Sequence, residues 1–218
     1  MSAKPPERIG IMGGMFDPVH LGHLALAEQA RVHCQLDRTF LIPCGSPVHR
    51  AAAQASAAQR IHMLELASAN DTAWLQVDPR ECLRAAPSYT VDTIEALQQE
   101  LPGALLCLLV GLDAFLGFAG WYRWRELLDL VQLVVVNRPS YTLDVAALPT
   151  PLAAELVARQ VSLAALGTTG AGSIVLANLT TPVLSSTAVR AALRSGTDTR
   201  TFLPPAVAEY IHAQGLYR

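Results

Sequence analysis

A doubly wound α/β domain, a parallel sheet with helices on both faces, is the fold class this sequence predicts, and three observations carry it. Short apolar runs alternate along the chain with segments whose apolar residues recur at helical spacing, which is the pattern of strand–helix–strand crossovers. One of the runs, Leu105–Val110, is apolar without a break, as strands buried on both faces are, and Val131–Val136 reads as another buried strand. A double glycine, Gly13-Gly14, follows the first run directly and opens into a helical segment. A chain of 218 residues suits one such domain, which removes roughly 70% of its unfolded surface from water.

Taken in order, Arg8–Met12 reads as the first strand, and Leu21–Gln35 as a helix. Thr39–Pro43 and Trp74–Val77 read as strands flanking a helix at Ala57–Ala69. A helix over Thr90–Leu101 leads to the strand at Leu105–Val110, and a short helix at Trp124–Leu130 leads to Val131–Val136, which Asn137-Arg138-Pro139 ends. From Ser140 to Gly172 the periodicity degrades, apart from a helical piece around Ala153–Gln160. The chain closes with a strand at Ser173–Ala177 and helices at Thr187–Arg194 and Pro205–Gln214, the last started by Pro204-Pro205 and stopped by Gly215. The expected organisation is one Rossmann-like domain over residues 1–218, with a flexible start at 1–7 and a less regular insertion at 140–172. Ligands of such a sheet sit beyond the carboxyl ends of its strands.

Composition narrows the functions. Sixteen basic and eighteen acidic residues leave a net charge of −2, and charged residues make up only 16%. That balance offers no broad electrostatic footprint for nucleic acid or for an anionic membrane. No apolar run approaches the ~20 residues that span a bilayer. Cys34, Cys44, Cys82 and Cys107 are irregularly spaced, which argues for reduced thiols in a cytoplasmic protein rather than a disulfide framework or a zinc knuckle. Lys4 is the only lysine, so phosphate chemistry in the folded part must rest on arginine, histidine and backbone N–H groups. The pattern is compatible with a monomer or a small homo-oligomer.

Gly13-Gly14-Met15-Phe16 lets the backbone bend sharply and come within hydrogen-bonding distance of a phosphate. Asp17-Pro18 reads as a helix cap followed by proline at the first helical position, which puts His20 and His23 in the first turns and on one face. Gly22 between them is expected to leave room for a ligand at the backbone. A helix N-terminus favours anions, and two imidazoles there extend an anion site. Ordinary solvated histidines are the alternative for an isolated pair of this spacing, and a zinc site is another, although no third ligand stands at familiar spacing.

A second candidate phosphate cradle lies at Ser185-Ser186-Thr187, at the mouth of a helix, with Arg190 one turn further on. Taken alone, the same residues fit a plain cap and a solvated arginine.

Gly13-Gly14-Met15-Phe16-Asp17-Pro18-Val19-His20-Leu21-Gly22-His23 resembles the first loop of the HxGH nucleotidyltransferases, and Leu184-Ser185-Ser186-Thr187-Ala188-Val189-Arg190 is similar to their second signature. Gln59-Arg60-Ile61-His62, Pro87-Ser88-Tyr89-Thr90, Gly111-Leu112-Asp113, Trp121-Tyr122 and Gly215-Leu216-Tyr217 extend the resemblance to bacterial nicotinate mononucleotide adenylyltransferases over nearly the whole chain. Cys44-Gly45, Val48 and residues 140–172 depart from that pattern.

The resemblance implies transfer of AMP from ATP to the 5′-phosphate of nicotinate mononucleotide, without a covalent intermediate. It makes His20, His23 and Arg190 catalytic. Gly13, Gly14, Met15, Phe16, Asp113, Ser185, Ser186 and Thr187 become ATP-binding residues, and Arg50, Tyr89, Thr90, Trp121, Tyr122 and Arg138 acceptor-binding residues. Mg²⁺ is expected to ride on the ATP phosphates, with no protein ligand. Asp113 is as readily a helix N-cap as a ribose ligand, and Trp121 alone is as readily a core residue. An adenylyltransferase for another phosphate monoester and a catalytically silent nucleotide-binding regulator are the competing functions.

Overall fold

The computed structural model describes residues 5–45, 53–85, 87–137 and 143–218. In chain order the elements are β1 (Arg8–Gly14), α1 (Leu21–Cys34), β2 (Arg38–Pro43), α2 (Ala57–Ser68), β3 (Leu75–Val77), α3 (Arg80–Leu83), α4 (Thr90–Glu100) and β4 (Leu105–Gly111). There follow α5 (Leu112–Leu116), α6 (Trp124–Leu130), β5 (Gln132–Asn137), α7 (Thr150–Arg159), β6 (Gln160–Val161), β7 (Ile174–Asn178), α8 (Ser186–Arg194) and α9 (Pro205–Ala213). The strands form one sheet in the order β3-β2-β1-β4-β5-β7-β6. The chain winds outward from β1 in one direction and from β4 in the other, so the reversal falls between β1 and β4, where open α/β sheets bind their ligands.

By residue contacts the chain forms two compact units. The first comprises Met1–Met12, Gln29–Thr39 and Tyr89–Thr180. In it β1 pairs with β4, β4 with β5, β5 with β7 and β7 with β6, all in parallel; Ile11 stands opposite Leu108, and Leu133 opposite both Leu108 and Ile174. The apolar runs Leu105–Val110 of β4 and Leu133–Val136 of β5 follow from burial on both sides: Leu108, Leu133, Val134 and Val135 are all in the core. α4 packs on α6, and Arg123, in the left-handed region at φ 52, joins them through Glu95 at 2.7 Å and Glu126 at 2.7 Å.

The second unit comprises Gly13–Glu28, Phe40–Ser88 and Thr181–Arg218. α2 starts on a capping box, in which the Ser56 hydroxyl accepts from Gln59 N and the Gln59 side chain accepts from Ser56 N. Met63 and Leu64 of α2 join Leu41, Ile42 and Leu75 in the core. α9 packs on α2, with Tyr210 edge-on to His62 at 4.7 Å between ring centres.

Three elements differ from the sequence expectation. α5 follows β4 without a loop, and α3 is a single turn; segments of five and four residues are too short to display a helical period. Within the stretch read as irregular, α7 runs straight into the two-residue strand β6, which pairs with β7 and completes the sheet. Two residues carry no alternation from which a strand is read.

Candidate active site

β1 delivers Gly13 and Gly14 to the start of the first loop, where Gly14 O accepts from Cys44 N at 2.8 Å at the end of β2. A side chain on Gly13 would meet nothing, whereas one on Gly14 would press on the Phe16 ring. Phe16 adopts a left-handed backbone at φ 47 and is buried, edge-on to His23 with ring centres 5.0 Å apart. The loop is held from beneath by Arg60, 2% exposed, whose Nη1 donates to Met15 O at 2.8 Å and whose Nη2 approaches the Cys82 sulfur at 3.8 Å.

Asp17 is not the helix cap expected from its Asp-Pro context. The Asp17-Pro18 peptide is cis, and α1 begins three residues beyond Pro18, at Leu21. The physical reason lies in where the carboxylate goes: it is buried and accepts from Gln54 N at 2.8 Å, Ala55 N at 3.0 Å and the Tyr217 hydroxyl at 2.7 Å, so it is engaged there and not at the helix start. The histidines take over that task. His20 O accepts from His23 N at 2.9 Å, and the His23 Nδ1 accepts from His20 N at 3.2 Å. The two rings stack with centres 3.7 Å apart and planes 17° apart. Burial first, and the neighbouring His20 second, hold the His23 pKa well below the ordinary imidazole value. With Nδ1 used as an acceptor, the neutral ring keeps its proton on Nε2.

Gly22 also departs from expectation. The space a side chain would take there is filled, not open to a ligand: an added Cβ would lie 3.0 Å from His20 Nδ1 and 3.3 Å from the Leu184 Cβ. The glycine is required for close packing of the first turn of α1 on the segment leading into α8.

That segment caps and staples α8. The Ser185 hydroxyl accepts from Ala188 N at 3.2 Å as N-cap, and the Ser186 hydroxyl donates to Pro18 O at 3.0 Å. Arg190 Nη1 donates to Asp17 O at 2.6 Å, and its Nη2 reaches the Thr187 hydroxyl at 3.4 Å. Ser186 and Arg190 therefore grip the two carbonyls just before the histidines, while Ser185 and Thr187 stay exposed. The residues of the two separate signatures, distant in sequence, meet on one loop.

The remaining candidates fall in the other unit. Tyr89 precedes α4, of which Thr90 is the first residue, and the Tyr89 ring lies 4.4 Å from that of Tyr122, which is 52% exposed. Trp121 turns instead to Phe118, with ring centres 5.0 Å apart, so the aromatic pair is Tyr89 with Tyr122 rather than Trp121 with Tyr122. Asp113 is exposed in the first turn of α5, whose N-cap is Gly111, which removes the capping role as its explanation. Arg50 and Arg138 lie outside the described residues.

Sequence reasoning missed Arg60 and Tyr217, and assigned Asp17 the wrong role. Arg60 stands in an ordinary amphipathic helix, and Tyr217 lies at the far end of the chain; only folding brings them to Asp17 and Met15. Among the described residues no three His, Cys, Asp or Glu side chains gather as metal ligands, and the carboxylate of this loop, Asp17, already accepts three hydrogen bonds. The donors that remain are imidazole, hydroxyl, guanidinium and backbone N–H, which suit an anion and not a hard cation. Among the described residues no helix is long and apolar enough to cross a membrane.

A Rossmann-like sheet with these two signatures at its reversal defines a nucleotidyltransferase, and the family model described as cytidylyltransferase-like matches residues 11–192. A probable nicotinate-nucleotide adenylyltransferase of Aeromonas hydrophila is 46% identical over 99% of this chain and 98% of its own. One of Dechloromonas aromatica is 42% identical over 97% and 98%. The chain belongs to this family, the nicotinate-nucleotide adenylyltransferases of cytidylyltransferase-like type. The fold is also that of Plasmodium falciparum nicotinic acid mononucleotide adenylyltransferase complexed with NaAD, at TM-score 0.72 and 16% identity over 97% of each chain.

Proposed function

We propose that this protein transfers the adenylyl group of ATP to the 5′-phosphate of nicotinate mononucleotide, releasing pyrophosphate and nicotinate adenine dinucleotide. One observation carries the reading of the chemistry: His20, His23 and Arg190 are assembled on a single loop, the histidines by their own capping bond and Arg190 by its bond to Asp17 O. The names borne by the full-length relatives support the choice of acceptor.

No protein nucleophile or general base is needed. The acceptor phosphate, with a second pKa near ~6, is largely a dianion at neutral pH. The barrier is repulsion between anions, and catalysis consists of holding the acceptor phosphate in line with the α-phosphorus while neutralising charge on the equatorial and leaving oxygens. His23 donates through Nε2, with His20 stacked against it, to the reacting phosphate. Arg190 and the exposed hydroxyls of Ser185 and Thr187, with the free N–H groups opening α8, receive the β- and γ-phosphates. The backbone of Gly13, Gly14, Met15 and Phe16 lies along the nucleotide, and Asp113 accepts from a ribose hydroxyl. Tyr89 and Tyr122, with Trp121 behind, face the pyridine ring, and Thr90 fixes its carboxylate. Arg50 and Arg138 serve the acceptor phosphate or the departing pyrophosphate. Magnesium enters as part of the Mg·ATP substrate and neutralises phosphate charge. The cytoplasm is the compartment of the reaction, a reading supported by four cysteines of which none is in a disulfide.

The test is pyrophosphate release from Mg·ATP with a panel of acceptors. Nicotinate mononucleotide should be the preferred acceptor and release should match dinucleotide formed. Equal turnover of the nicotinamide nucleotide or of phosphopantetheine would reject the acceptor, and ATP binding without turnover of any acceptor would reject the reaction.

A further inference from the structure

We infer that Tyr217, next to last in the chain, is a positioning residue for nucleotide binding: its phenol holds the Asp17 carboxylate off Arg190 and so keeps the guanidinium charge available to the triphosphate. The inference rests on the reading that Arg190 receives ATP.

Three donors occupy the Asp17 carboxylate. Ala55 N and the Tyr217 hydroxyl share Oδ1, at 3.0 and 2.7 Å, and Gln54 N takes Oδ2 at 2.8 Å. Arg190 lies beside this group without closing on it. Its Nη1 is 3.8 Å from Oδ2, and the hydrogen bond of that nitrogen goes to the Asp17 main-chain carbonyl at 2.6 Å instead. A free guanidinium and carboxylate at this range would collapse to a pair of short parallel bonds. The carboxylate is restrained from doing so by its other donors, and two of these are backbone N–H groups that cannot follow a rotation. The phenol is the only side chain among the three. Tyr217 is buried, and burial together with Asp17 pushes its pKa well above the ordinary tyrosine value, so it remains an O–H donor at any working pH.

Removing that one oxygen leaves Oδ1 a donor short, and the nearest charged donor is Arg190. The carboxylate then turns onto the guanidinium, neutralises it and takes up N–H groups that would otherwise meet phosphate. Arg60, the other guanidinium near this loop, is committed to Met15 O and the Cys82 sulfur and does not substitute.

The experiment is calorimetric titration of the full chain with Mg·ATP, without acceptor, for the wild type, Tyr217→Phe, Asp17→Asn, the double variant and Arg190→Ala, each with a thermal melt. Tyr217→Phe should weaken ATP binding about tenfold, the scale of one charge-assisted hydrogen bond, with a cooperative melt. In the Asp17→Asn background the same change should have no further effect, because the amide carries no charge to neutralise Arg190. Affinity within twofold of wild type in Tyr217→Phe, an equal loss in both backgrounds, or loss of the cooperative melt would make Tyr217 a structural strut and overturn the inference alone. Unchanged affinity in Arg190→Ala would overturn the reading of Arg190, and this inference with it.

Discussion

His23 is neutral in the free protein because enclosure against Phe16 and His20 disfavours its charged form, and that has a consequence for stability. Its folded pKa lies well below the ordinary value, so between that depressed pKa and the unfolded value near ~6.5 the unfolded chain binds the extra proton. Stability should therefore fall as pH drops below about 6.5, at a rate of up to ~1.4 kcal/mol per pH unit for one such group. His23→Asn, whose amide oxygen stands where Nδ1 does and still accepts from His20 N, should melt with a shallower dependence between pH 7.5 and 5, and should lose at least ~100-fold in turnover, as removal of an oxyanion-type donor does. Parallel melting curves for variant and wild type would contradict the assigned state of His23. At this scale the sequence revealed the residue types of the site, two histidines and an arginine in register with glycines and hydroxyls. It concealed their partners: Asp17 was misread because its acceptors' donors, Gln54, Ala55 and Tyr217, lie 37, 38 and 200 residues away. Local pattern carries no information about such bonds.

α1 and α8 hold the site through the fit between their first turns. Gly22 is the closest point of that fit, and a methyl there would meet the His20 ring at 3.0 Å and Leu184 at 3.3 Å. Gly22→Ala should cost about 1–3 kcal/mol by overpacking and reduce turnover more than its melting shift suggests, because the His20 ring and the α8 mouth both have to move. Activity and melting temperature of the variant, measured together, check this; a full-rate enzyme would show that the contact yields without disturbing the site. Among the elements, β4 and β5 were readable because burial on both faces leaves the apolar runs Leu105–Val110 and Leu133–Val136, and α2 because its helical segment stands between two short apolar strands. α3, α5 and β6 were not, since none spans two repeats of the period that would identify it. Helical spacing read α1 from Leu21, where it begins, but Asp17 was misread as its cap because Asp-Pro is the usual opening of a helix, and here two residues stand between the proline and the helix.

At the scale of the whole molecule, a chain of net charge −2 is read as binding two phosphate-bearing substrates, so attraction has to be local and to come from directed donors rather than from overall field. The order of the strands accomplishes this by bringing the end of β1, reached early in the chain, to the place where winding reverses. The last forty residues then return to the same loop through Ser186, Arg190 and Tyr217. That return was visible in the sequence only as a second signature in the right order; the mutual grip of the two signatures, carbonyl by carbonyl, belongs to the folded chain. The most direct measurement is a crystal structure with a non-hydrolysable ATP analogue and magnesium. His23 Nε2 and the Arg190 guanidinium should both lie within hydrogen-bonding distance of oxygens of one triphosphate, over Gly13 and Gly14. A triphosphate bound elsewhere, or one touched by only one of these two groups, would contradict it.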